Sequence, residues 1–296
     1  MIPIFLIFPG QGSQYVGMGK ELYQKYPPAR EVWDTITSRP EFSHLRKIIW
    51  EGPEEELTRT DNVQPAITLI SLMALATIKN NYPFLWDKSS LIRIIGCAGH
   101  SLGEYAAHMA AGNLTEAQTL ELVRWRGYFM NIASQPPNPL GGMIAILGLD
   151  QSTVEKVLRQ WGKDNVAIAN LNTPTQIILS GEREALTYCG ELMLAAGAKR
   201  VVPLKVSGAW HSPLMKPAQE QMQKVIEELI PDDQPFNPDI SVIANVTAKQ
   251  VTDTVDLKKN LIEQIVSPVR WKETIDLFKT LSEGLTKELY LFIEVG

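Results

Sequence analysis

Gly96-Cys97-Ala98-Gly99-His100-Ser101-Leu102-Gly103-Glu104 is the stretch on which the fold turns. Ahead of it, Leu91-Ile92-Arg93-Ile94-Ile95 is apolar and β-branched, the pattern of a buried strand. Behind it, the residues from Tyr105 to Ala111 are rich in alanine and suit a helix. Between strand and helix, Gly99-His-Ser-Leu-Gly103 is a G-x-S-x-G turn, which lifts a serine hydroxyl clear of a sheet edge. The serine takes a strained backbone conformation, and the flanking glycines leave room where a Cβ would clash. The hydroxyl then lies beside a helix N-terminus, where the unpaired Leu102 N–H can meet a developing oxyanion. A chance turn would not come with both flanking elements. Ser101 is therefore the candidate nucleophile for acyl transfer or hydrolysis.

Working outward, the 296 residues suffice for one large domain, or one large and one small, and 45% hydrophobic content supports a full core. A net charge of −5 and scattered lysines and arginines give no reason to expect nucleic-acid binding. Two cysteines, Cys97 and Cys189, form neither a disulfide framework nor a metal signature. The four histidines, His44, His100, His108 and His211, are too dispersed to suggest zinc. The opening MIPIFLIF lacks the basic flank and cleavage pattern of a signal peptide and reads as a first strand, Ile2 to Phe8. No apolar run reaches the roughly 18 residues of a membrane span, so a cytoplasmic protein without membrane contact is expected.

The first strand ends in Pro9-Gly10-Gln11-Gly12-Ser13-Gln14, a loop without the spacing of a dinucleotide or P-loop motif but with backbone N–H groups to offer a pocket. The acidic Glu51 to Glu56 stretch reads as solvated surface. A buried helix is expected from Ala66 to Ile78, with Pro65 near its first position. A further helix, Leu114 to Met130, places Arg126 on the same arc as Leu122, Val123, Phe129 and Met130. A buried arginine needs a partner, either an internal carboxylate or the anionic group of a ligand. Arg124, on another side, is a surface residue.

From Gly141 onward the pattern becomes β-α-β-β-α-β: strands at Met143 to Leu147, Val166 to Ala169, Gln176 to Leu179 and Arg200 to Val206. The helices of this unit are Thr153 to Trp161 and Glu182 to Ala196, and Asn170-Leu-Asn-Thr-Pro174 is the joint between its middle strands. That order is ferredoxin-like. With Gln135-Pro-Pro-Asn-Pro139 before it and Pro203 to Gly208 after it, the unit reads as a small domain, 139–206, inserted into a large α/β domain formed by 1–138 and 207–296. A cleft between the two is the expected ligand site. His211, in Ser207-Gly-Ala-Trp-His-Ser-Pro-Leu-Met215, falls at the domain junction and is the best candidate for the base that activates Ser101. His100 and His108 are expected to be structural. The remainder reads as a strand at Ile240 to Ile243, helices over Asp256 to Ile265 and from Pro268, and a last strand from Leu289 to Glu294.

Phe8-Pro-Gly-Gln-Gly-Ser-Gln14, Gln64-Pro-Ala66, Gly99-His-Ser-Leu-Gly-Glu104, Arg126-Gly127, Ser207 to Met215, Gln264 to Trp271 and Phe292-Ile-Glu-Val-Gly296 together span nearly the whole chain. In that combination the sequence resembles the malonyl-CoA:acyl-carrier-protein transacylases of fatty-acid synthesis and their polyketide relatives. The resemblance implies an α/β-hydrolase-like large domain with an inserted ferredoxin-like subdomain. It implies Ser101 as nucleophile, His211 as base, and the N–H groups of Gln11 and Leu102 as the oxyanion hole. Arg126 would pair with the free carboxylate of a malonyl group, and the Gln264 carbonyl would take the other N–H of His211, where hydrolases use a carboxylate. Asn172 and Trp210 would complete the substrate side, and Leu102 with Trp210 suits a malonyl rather than a methylmalonyl pocket. The family pattern continues into a Pro-Gly turn and a helix beyond the point where this sequence stops, Gly296.

From that resemblance follows a ping-pong transfer through a malonyl-serine ester, with malonyl-CoA as donor and the phosphopantetheine of an acyl carrier protein as acceptor. No metal or bound cofactor is called for. Arg183, Lys199, Arg200, Lys205 and Lys216 are candidates for a basic patch facing an acidic carrier protein. A monomer is expected. The alternatives are a polyketide acyltransferase acting in trans, or an acyl hydrolase on the same scaffold, which would lack the pocket arginine. A non-catalytic carrier-protein binding module is the third, and it would have no use for Ser101, His211 and Gln11 together.

Overall fold

A computed structural model describes residues 1–138, 140–283 and 289–296. In chain order the strands are β1 (Ile2–Phe8), β2 (Ile92–Gly99), β3 (Gly141–Leu147), β4 (Val166–Thr173), β5 (Gln176–Glu182), β6 (Arg200–Pro203), β7 (Ser241–Val242) and β8 (Leu291–Glu294). The helices before the elbow are α1 (Lys20–Lys25), α2 (Pro27–Thr37), α3 (Leu45–Glu51), α4 (Glu54–Thr58) and α5 (Thr60–Asn81). After it come α6 (Gly103–Ala111), α7 (Glu116–Ala133), α8 (Gln151–Trp161), α9 (Arg183–Ala195), α10 (Lys216–Leu229), α11 (Thr254–Glu263) and α12 (Trp271–Glu283).

Two sheets result. The first has the order β7-β2-β1-β8 with every neighbouring pair parallel. Parallel strands need cover on both faces, which explains why β1 and β2 are apolar without alternation. β2 runs four residues beyond the expected strand because Phe5 to Phe8 of β1 pair with Gly96 to Gly99. The carboxyl ends of both strands thus stop side by side, where ligands of open α/β sheets bind. The second sheet, β4-β5-β3-β6, is antiparallel throughout and carries α8 and α9. Its strand order is the ferredoxin-like one, and it spans Gly141–Pro203, inside the expected 139–206. Pro139, the expected first residue of that unit, lies outside the described residues.

Local signals and packing agree at three helix starts. Thr115 and Gln118 form a reciprocal capping box at the start of α7, and Asp150 and Asp253 cap α8 and α11. Three expectations need correction. Pro65 is not at the start of its helix: α5 begins at Thr60 and holds Pro65 inside. Losing the Pro65 backbone donor is tolerated because the added turns bury Val63 and Gln64. Asn170 to Thr173 are not a joint but the end of β4, whose pairing with β5 is irregular there. Strand Ala169–Leu171 is held from the other side as well, by the Leu171 N–H to the Val269 carbonyl (2.9 Å) and the Val269 N–H to the Ala169 carbonyl (2.8 Å). These bonds tie the small sheet to the large unit. Finally, α5 is long and apolar enough to cross a membrane, yet 78% of its apolar window is buried inside the fold.

Candidate active site

Glycine is obligatory at the elbow. A Cβ on Gly99 would sit 1.8 Å from the Gly103 carbonyl carbon, and one on Gly103 would sit 2.2 Å from the Phe8 carbonyl oxygen. Ser101, between them, has φ of 52°. Only two other non-glycine residues among those described have positive φ, and one of them is His211, at 58°. Strain of this kind costs about 1–3 kcal/mol per residue and persists only where surrounding bonds enforce it. For Ser101 the enforcing residue is Asn245: its Oδ1 accepts the Ser101 N–H (2.7 Å), and its Nδ2 donates to the Gly99 carbonyl (2.8 Å).

The two strained residues meet. Ser101 Oγ lies 2.7 Å from His211 Nε2. On the far side of the ring, Nδ1 is 2.9 Å from the Gln264 carbonyl and 3.0 Å from the Ser267 carbonyl. Both of those atoms can only accept, so Nδ1 carries the proton and Nε2 presents its lone pair to the serine hydroxyl. Burial, reinforced by the nearby Arg126 charge, pushes the His211 pKa down to about 3. The imidazole is therefore neutral at pH 7, the state a general base requires. Ser101 N–H is committed to Asn245, whereas among the described residues the N–H groups of Leu102 and Gln11 donate to no protein acceptor. Both residues line the cavity beside the serine.

Arg126 is 1% exposed. Its Nη1 donates to Gln64 Oε1 (2.8 Å), and its Nη2 donates to Gln264 Oε1 and to Ser101 Oγ (3.0 Å each). Every one of these acceptors is neutral. No carboxylate among the described residues comes within ion-pair distance of the guanidinium. No direct internal ion pair forms among the described residues, although the buried Glu104 carboxyl beyond Gln264 still acts on the guanidinium through space. Burial shifts the arginine's own pKa downward, and a buried cation with neutral partners gains strongly from an added carboxylate.

A cavity of about 310 Å³ joins these groups, lined on one side by Gln11, Ser101, Leu102, Arg126 and His211. Trp210, 5% exposed, lines it too, as do Asn172 and residues of β3 and β5. One expectation changes here. Gln264 offers its carbonyl to His211 but does not line the cavity; it is wholly buried behind the elbow, because its side chain is consumed by Arg126, Ser101 and Glu104. His100 lines the cavity as well, with its Nε2 3.0 Å from Asn172 Oδ1 and 3.3 Å from Asn170 Nδ2. His108 is buried in packing as expected. Gln64, Asn245, Ser267 and Glu104 had no role assigned from sequence. Gln64, Glu104 and Ser267 stand inside the quoted motifs, so their positions, though not their partners, were marked.

Comparison with known proteins follows the same lines. Residues 5–286 match the model of the acyl transferase domain. The malonyl CoA-acyl carrier protein transacylase of Bacillus subtilis is 42% identical over all of this chain and 87% of its own length. Among solved structures, an acyl carrier protein S-malonyltransferase from Vibrio cholerae superposes with a TM-score of 0.84 at 34% identity, covering 99% of this chain and 89% of that one. A malonyl-transacylase in complex with its type II polyketide acyl carrier protein superposes with a TM-score of 0.85 at 30% identity, covering 99% and 95%.

Proposed function

The chain belongs to the acyl transferase domain family, and on that premise we propose that it moves the malonyl group of malonyl-CoA to the pantetheine thiol of an acyl carrier protein. The observation that carries this reading is Arg126, a buried guanidinium with neutral partners only, 3.0 Å from the nucleophilic oxygen. A malonyl ester on Ser101 puts a free carboxylate within reach of it. An acetyl group leaves the arginine as it is, so the carboxylate is what the site selects.

In the first half-reaction Ser101 Oγ attacks the thioester carbonyl while its proton passes to His211 Nε2. The Gln264 and Ser267 carbonyls hold the Nδ1–H and stabilise the imidazolium. The tetrahedral oxyanion is met by the N–H groups of Leu102 and Gln11. Collapse breaks the carbon–sulfur bond, and the thiolate of CoA leaves with the proton from His211. The second half-reaction repeats these steps with the carrier's thiol attacking the malonyl-serine ester. Side chains, backbone donors, the thioester donor and the thiol acceptor supply all of this chemistry.

Arg183, Lys199, Arg200, Lys205 and Lys216 are all exposed and make no ion pair among the described residues. Lys205 stands between Leu204 and Val206, two cavity-lining residues, which favours the cleft mouth as the face that meets an acidic carrier. Both cysteines are free and buried, in keeping with a cytoplasmic setting.

Intact-mass spectrometry with malonyl-, acetyl- and methylmalonyl-CoA tests the proposal, with Ser101→Ala as control. The expected result is a malonyl adduct that is absent from the variant, little acetyl adduct, and discharge when a carrier protein is added. Free malonate accumulating in place of the adduct would establish a hydrolase instead.

A further inference from the structure

The acyl-transfer steps leave a buried carboxyl beside the nucleophile unused, that of Glu104. We infer that Glu104 is a positioning residue for acyl selectivity, holding the Gln264 side-chain amide in the orientation that fixes Arg126. The inference rests on the malonyl-transfer reading above.

Glu104 stands in the first turn of α6, three residues after Ser101, and is fully buried. Its Oε2 accepts from Gln264 Nε2 (2.6 Å) and from the Asn245 N–H (3.2 Å). Gln264 Nε2 also donates to the Ser101 carbonyl (3.0 Å). With both amide hydrogens so used, Gln264 Oε1 faces Arg126 Nη2. The two ends of an amide have nearly the same shape, so its orientation is set by its neighbours. Turning this one over would press Oε1 against a carboxyl oxygen and a carbonyl, and would press an NH₂ against a guanidinium. Both contacts are repulsive, and burial leaves them unscreened. Removing Glu104 removes one of the three contacts that set this orientation.

Besides its bond to Ser101 Oγ, the guanidinium is held by two glutamine side chains. Gln64 Oε1 takes Nη1, and Gln264 Oε1 takes Nη2. A bidentate carboxylate site depends on the plane of the fork, and releasing one anchor lets that plane turn. Burial pushes the Glu104 carboxyl up to about 7. In either protonation state one oxygen remains an acceptor for Gln264, so the role is one of acceptor geometry rather than charge. The same oxygen reaches the Asn245 backbone, whose side chain staples the elbow. A loosened elbow would slow every acyl group alike, whereas a misaligned Arg126 penalises only acyl groups bearing a carboxylate. That difference makes the role measurable.

The test is single-turnover acylation of the full chain by malonyl-CoA and acetyl-CoA, comparing the native protein with Glu104→Ala, Glu104→Gln and Gln264→Leu. In Glu104→Ala the malonyl-over-acetyl preference should fall roughly tenfold or more, chiefly through a raised half-saturating malonyl-CoA concentration. Glu104→Gln keeps the acceptor oxygen and should hold the preference within about threefold of native. If Glu104→Ala does not fold, Gln264→Leu removes the same anchor on Arg126 and should show the same loss. An equal fall for both substrates, or a Gln variant no better than Ala, overturns the inference. A native protein that takes up no malonyl group at Ser101 overturns the proposed function and this inference with it. Native loading with an unmoved preference in the variants overturns this inference alone.

Discussion

On the large-sheet side of the cleft, Gln11, Ser101, Leu102, Arg126 and His211 carry the charge and the directed hydrogen bonds. On the small-sheet side, Met143, Ala145 and Ile178 present apolar surface, interrupted by the amides of Asn170, Asn172 and Gln176. The first wall is fixed from behind: His211 by two carbonyls, Arg126 by two glutamine oxygens, Ser101 by Asn245. Arg126 and His211 are buried, so each depends on one geometry, and losing one partner leaves another unpaired. The second wall lies on a separate sheet and is shaped mainly by packing. On the proposed function, reaction and carboxylate choice fall to the first wall, and the second wall contributes to acyl size.

That division can be broken by experiment. The largest effect is expected at His211. His211→Ala should slow acylation of Ser101 by about 10²–10⁴-fold, the usual span for loss of a general base. The native pH profile gives the same residue a second check. A base works above its pKa, and with His211 near 3 the native acylation rate should show no acid limb around pH 6.5, where an unperturbed histidine would protonate. A limb at that value would mean the imidazole is less desolvated than its burial implies.

Next comes Arg126. Arg126→Ala should lower malonyl loading by about a hundredfold, corresponding to a few kcal/mol for a desolvated carboxylate left without its partner. Acetyl loading should change far less, so parallel adduct formation from the two thioesters checks it. Equal losses would assign Arg126 to the chemistry rather than to selection. The smallest effect is expected across the cleft. Met143→Ala should change malonyl loading by only about threefold while raising methylmalonyl loading by a similar factor, since spare volume in an apolar wall discriminates weakly. Competition between the two thioesters measures it, and a collapse of malonyl loading would show that the small sheet also orients the reacting ester.

What could be read from the chain alone is what its neighbours in sequence decide. The elbow was legible because a β-branched run, two glycines flanking a central serine and an alanine-rich helix are local signals, and the Cβ clashes at Gly99 and Gly103 show why no other residue serves. Arg126 could be singled out because helical periodicity set a charge among apolar residues, and the inserted unit could be found because its β-α-β-β-α-β order is itself a sequence property. His211 could be singled out by its place at the domain junction, and the resemblance to a known family then supplied roles for Gln11 and Gln264 that spacing did not.

Tertiary structure decided the partners. Asn245 reaches Ser101 across 144 positions and Gln264 reaches it across 163. The end of β4 is a strand rather than a joint because Val269, far along the chain, offers it a second edge. α5 starts five residues before Pro65 because burying Val63 and Gln64 outweighs one missing hydrogen bond. Glu104 stood in plain view within the elbow motif, yet its bonds to Gln264 and Asn245 exist only once the fold has brought those residues beneath the nucleophile. Local conformation follows from residues within a few positions of one another. A buried polar group must instead pair with whatever the folded core places beside it, and that choice belongs to three dimensions.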